Sequence, residues 1–62
     1  MKDLTASELS PRLAAMRLNR EIAQELGVTE DDVRSKLTDL CRQYRTANKL
    51  GLCRLARKGA LQ

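Results

Sequence analysis

Between residues 19 and 44 apolar side chains recur at helical spacing in two runs, and a single glycine stands between them. Ile22, Ala23 and Leu26 give the first run one inner face. Gly27 closes it, because glycine enters the left-handed conformation at a helix end with little strain. Thr29 then offers a cap for a second helix, with Asp32 three residues on at capping-box spacing. Val33, Leu37, Leu40, Cys41 and Tyr44 follow as one continuous stripe. Such a chain is confined to a short helix and a longer one meeting across a three-residue turn. Ala23 is small where they cross, and Val33 holds the second against the first.

The flanks complete an all-α fold with four helices, expected at residues 6–17, 19–26, 30–45 and 49–58 of one domain. Leu4, Thr5 and Glu8 look like a helix entry with Thr5 as the cap. Pro11 complicates it, since Ser10 as cap with Pro11 at the first helical position is a competing start. Either start places Leu9, Leu13 and Met16 on the apolar edge of a helix ending near Arg17. Asn19 is the preferred cap of a separate second helix, in place of one helix running through residues 12–26. After Tyr44 the pattern lapses, Asn48 caps a last helix and Gly59 stops it. Leu50, Leu52, Cys53, Leu55 and Ala56 spread over more than half of that helix, wider than a small core needs. They are therefore expected to form a dimer interface. No segment alternates with period two, so no strand is expected.

Sixty-two residues provide one core and little surplus stability, which favours self-association as a helper. The two cysteines, Cys41 and Cys53, read as small reduced residues of a cytosolic core. Without histidine or a close cysteine pair no metal site is expected. The chain opens Met-Lys-Asp and has no apolar run long enough for a signal or a membrane span, so a cytoplasmic, nucleoid-associated location is expected. No catalytic constellation, cofactor site or small-molecule substrate site is legible, and an enzyme is not expected. Charge is uneven: residues 1–32 hold four basic and seven acidic side chains, residues 33–62 eight basic and one acidic. A basic second half suits a polyanion.

A helix pair joined by a tight glycine-containing turn is the helix-turn-helix pattern, whose second helix can enter a DNA major groove. With Val33 inward, that helix presents Arg34, Ser35, Thr38, Arg42 and Arg45 outward, and Arg34, Thr38 and Arg42 lie in one row. An arginine can grip a guanine edge with two hydrogen bonds, and serine or threonine can serve base edges or phosphate. Arg42, Arg45, Lys49 and Arg20 suit phosphates.

The run Asn19-Arg20-Glu21-Ile22-Ala23, then Leu26, Val28, Val33-Arg34, Leu37 and Leu40, resembles the LuxR/GerE-type helix-turn-helix domain of bacterial transcription regulators. Leu4, Thr5 and Glu8 match that domain's opening, Asn48-Lys49 its N-R pair, and Ala56 and Gly59 its end. The resemblance implies that Arg34, Ser35 and Thr38 face the major groove. Three positions depart from it: Asp32 replaces a threonine, Lys36 a histidine and Asp39 an asparagine. Glu30, Asp31 and Asp32 place negative charge where the helix would approach phosphates. The expected function is sequence-specific binding of double-stranded DNA and transcriptional regulation by a stand-alone homodimer. The alternative is an interaction protein that pairs with and retunes a larger transcriptional regulator. A contact module for RNA polymerase is a third reading.

Overall fold

Helix starts in this chain are set by side chains that accept the first unpaired amides. Thr5 Oγ1 accepts from the Glu8 amide at 3.2 Å and opens α1 (Ala6–Ala14). Thr29 Oγ1 accepts from the Asp32 amide at 3.1 Å while Asp32 Oδ2 accepts from the Thr29 amide at 3.2 Å, opening α3 (Glu30–Tyr44). Asn48 Oδ1 accepts from the Gly51 amide at 3.2 Å and opens α4 (Lys49–Arg57). The exception is α2 (Asn19–Leu26), whose cap is Leu18 and not the expected Asn19. Leu18 has no side-chain acceptor to offer; only the reciprocal bond forms, its amide donating to Glu21 Oε1 at 3.0 Å. The computed structural model describes residues 4–61, and among these there are four helices and no strand. The opening Met-Lys-Asp lies outside the described residues.

Helix ends follow one device. In each, a residue of positive φ lets the next amide turn back five residues: Arg17 to Arg12, Val28 to Ala23, Thr46 to Cys41 and Ala60 to Leu55, all within 2.9–3.0 Å. Gly27 (φ 69°) and Gly59 (φ 74°) adopt this conformation freely, whereas Met16 (φ 57°) and Arg45 (φ 56°) do not. A side chain in the left-handed region costs about 1–2 kcal/mol. The Met16 turn ends α1 at Ala14, three residues short of the expected Arg17, and it takes Met16 off the apolar edge and out to 55% exposure. Pro11 lies inside α1. It is tolerated there because both Pro11 and Ser7, the residue whose carbonyl loses a partner, are exposed.

Leu9 and Leu13 of α1, Ile22, Ala23 and Leu26 of α2, Val33, Leu37 and Leu40 of α3, and Leu52, Cys53 and Ala56 of α4 form one buried cluster, closed by Leu61. α4 packs chiefly on α1 and also on α3, and α2 packs on α3. The dimer interface expected of Leu50, Leu52, Cys53, Leu55 and Ala56 is therefore corrected. Leu52, Cys53 and Ala56 are core residues of the monomer, Leu55 packs partly buried against it, and only Leu50 remains exposed. A helix that meets two neighbours needs the wide apolar face that had suggested a second copy. Cys53 is buried and Cys41 half-buried, and both are unpaired thiols. An Arg12–Glu25 ion pair at 2.9 Å ties α1 to α2.

Gly51 stands inside α4, where glycine costs roughly 1 kcal/mol against alanine. Its reason is close approach: a Cβ there would sit 2.8 Å from the Cβ of Thr46, in the turn before the helix. The threonine Cβ is fixed to the backbone and cannot swing away. Gly51→Ala should therefore lower stability by about 1 kcal/mol despite its better helix propensity, as overpacking outweighs the propensity gain. Chemical denaturation checks this; a variant more stable than the parent would show that the turn relaxes at no cost.

Candidate nucleic-acid interface

The outward face of α3 is built as its apolar stripe requires. With Val33, Leu37 and Leu40 inward, Arg34, Ser35, Thr38 and Arg42 are exposed, as is Arg45 beyond the helix end. Next to this face two helix N-termini converge. A groove of about 260 Å³ is lined by Asn19, Arg34, Thr38, Cys41, Asn48 and Lys49, among others. A second, of about 490 Å³, is lined by Leu18, Asn19, Arg20, Glu30 and Lys49. Asn19 and Lys49 border both. The first turns of α2 and α4 thus meet the N-terminal half of α3, and helix N-termini carry partial positive charge with unpaired amides that favour anions.

Of the seven expected DNA-binding residues, Arg20, Arg34, Thr38 and Lys49 are brought to these grooves. Ser35 is exposed on α3 outside the groove linings, and Arg42 and Arg45 lie at the far end of that helix. The cations are partly engaged. Arg34 pairs with Asp31 one turn earlier, both side chains being largely exposed. Lys49 Nζ donates to the Arg17 carbonyl at 2.7 Å and so ties the end of α1 to the start of α4. Thr38 Oγ1 donates to the Arg34 carbonyl at 3.0 Å, which leaves its lone pairs outward. Arg20 is exposed and has no ion-pair partner among the described residues.

The three acidic residues at the start of α3 differ in role. Asp32 is held in the cap with Thr29, which explains why an aspartate stands there. Asp31 occupies Arg34. Glu30 shares a groove with Arg20 and Lys49 and lowers its positive potential. Sequence reasoning missed the part played by Asn19. Asn19 is not the cap, a place taken by Leu18; it lines both grooves, and its Oδ1 is buried without a hydrogen-bond partner. Its neighbour Leu18 gave no cap signal that would have revealed this. Among the described residues no cluster of histidine, cysteine or carboxylate side chains is arranged to hold a metal ion, and no helix is long and apolar enough to cross a membrane.

No protein-family model matches the chain, and no curated protein or solved structure matches it either.

Proposed function

We propose that the chain binds double-stranded DNA and acts as a transcriptional regulator of LuxR/GerE-like helix-turn-helix type, with the N-terminal half of α3 in the major groove. The observation that carries this reading is the convergence of three elements. Arg34 and Thr38 on the exposed face of α3 adjoin the first turns of α2 and α4, which bring Arg20 and Lys49. Base-reading side chains on one helix, flanked by cations and helix N-termini that take phosphate, are the two parts a groove-reading module needs. Arg42 and Arg45 extend the phosphate track along α3. Arg34 reads a guanine only by leaving Asp31, an exchange that costs at most about 1 kcal/mol for an exposed pair.

Removing the competitor should therefore strengthen binding. Asp31→Asn is expected to raise affinity for random duplex about three- to tenfold at low salt, through release of Arg34 and loss of a charge facing phosphate. The gain should shrink as salt rises. Fluorescence anisotropy with a labelled duplex reads it. An affinity unchanged at low salt would mean that the start of α3 does not approach DNA.

A further inference from the structure

Met16, Leu18 and Leu50 are the exposed large apolar side chains among the described residues, at 55%, 57% and 47% exposure. They are not scattered. All three line one shallow groove of about 250 Å³, floored by Cys53 and edged by Lys49, between the end of α1 and the outer side of α4. Its volume is below the roughly 300–1,000 Å³ of small-molecule sites.

Two of the three stand where local stability asks for something else. Met16 holds a left-handed backbone conformation that glycine would adopt without strain. Leu18 caps α2 with no acceptor, although Glu21 already supplies the reciprocal half of a capping box that serine would complete. These two departures from the locally preferred residue, two positions apart, both add apolar surface to the same groove. Methionine at its edge suits an adaptable contact.

The surrounding charge selects the occupant. α4 carries Lys49, Arg54 and Arg57 and no carboxylate, and Arg54 lies one turn beyond Leu50 on the same face. A second copy seated here would set cation against cation. We infer that this groove takes an amphipathic helix of another protein, with apolar anchors one turn apart and carboxylates on the flanks that meet Lys49 and Arg54. The inference does not depend on the DNA-binding reading.

The test is a displayed library of amphipathic helices, apolar at the anchor positions and random elsewhere, panned against the whole folded chain. The selected pool should be rich in Asp and Glu. A synthesised winner should shift the backbone NMR signals of Met16, Leu18, Lys49 and Leu50. Met16→Gly with Leu18→Ser should weaken that winner at least about tenfold. Its thermal midpoint should equal or exceed the parent's, which separates lost contact from lost fold. Four outcomes would overturn the inference: no enriched pool, a pool without acidic bias, a winner mapping elsewhere, or a double variant that binds like the parent. So would sedimentation showing a dimer that the double variant abolishes, or phosphatidylglycerol vesicles shifting the same signals when the peptides do not.

Discussion

Leu52→Ala should bring the chain close to unfolding. Leu52 is fully buried in α4, the helix that packs on both α1 and α3. Truncating such a leucine typically costs about 2–5 kcal/mol through lost burial and the cavity left behind. A chain this short has a total stability of only about 3–9 kcal/mol. The expected fall in thermal midpoint is therefore about 8–40 °C, at roughly 4–8 °C per kcal/mol. Helical circular dichroism followed on heating measures it. Because Leu52 had also been expected at a dimer interface, the experiment separates the two placements. A monomer core residue loses stability at every protein concentration, whereas an interface residue would show a loss that depends on concentration. A fall below about 3 °C would put Leu52 outside the core.

Arg34→Ala should have the second largest effect, on binding and not on folding. Its side chain is exposed and its pair with Asp31 is a surface pair, so stability should change by less than about 0.5 kcal/mol. Against a duplex selected from a random pool, loss of a bidentate base contact should cost about 1–3 kcal/mol, or about 5- to 150-fold in affinity. Discrimination at one base pair should relax with it. Random duplex should weaken far less, since there Arg34 contributes only a phosphate contact. Replacing Ser35 or Arg42 should not reproduce the loss of discrimination to the same degree, since neither lines the grooves. An Arg34→Ala protein that binds and discriminates like the parent would remove α3 from the recognition role.

The turn between the second and third helices was plain in the sequence because both of its sides rest on local chemistry. Gly27 stops α2 and Thr29 with Asp32 starts α3, and both act within a few residues. The end of α1 was not plain. It uses the same turned-back amide as the other helices, but with Met16 where glycine would have given the signal. The cap of α2 was misread for a related reason: Asn19 is the better cap by composition, yet the extended residue is Leu18. The apolar face of α4 was read correctly as wide and wrongly as surplus, because which helices cover a face is a matter of tertiary packing. Leu61 was missed altogether, since it enters the core past Gly59, beyond any periodic run. Gly51 carried no sequence reason either, as its neighbour Thr46 comes close only when the turn before α4 is folded.

The candidate interface divides the same way. That Arg34, Thr38 and Arg42 share a face follows from helical spacing alone. That Arg20 and Lys49 join Arg34 at adjacent grooves depends on α2 and α4 both starting beside α3, which no spacing encodes. The acidic start of α3 had read as opposed to DNA, with Asp32 alone also at capping-box spacing to Thr29. In the fold it separates into a cap (Asp32), a partner of Arg34 (Asp31) and a groove carboxylate (Glu30).

The most direct test of DNA binding is the affinity of the wild-type chain for random duplex across a salt series. The three groove cations, with Arg42 and Arg45 from the far end of α3, predict a logarithmic slope of about −4 to −5 against salt. At physiological salt the dissociation constant should lie around 10⁻⁴–10⁻⁶ M. No binding at the lowest salt, or a slope flatter than about −1, would mean that the carboxylates at the start of α3 outweigh the cations beside them, and would contradict the proposed function.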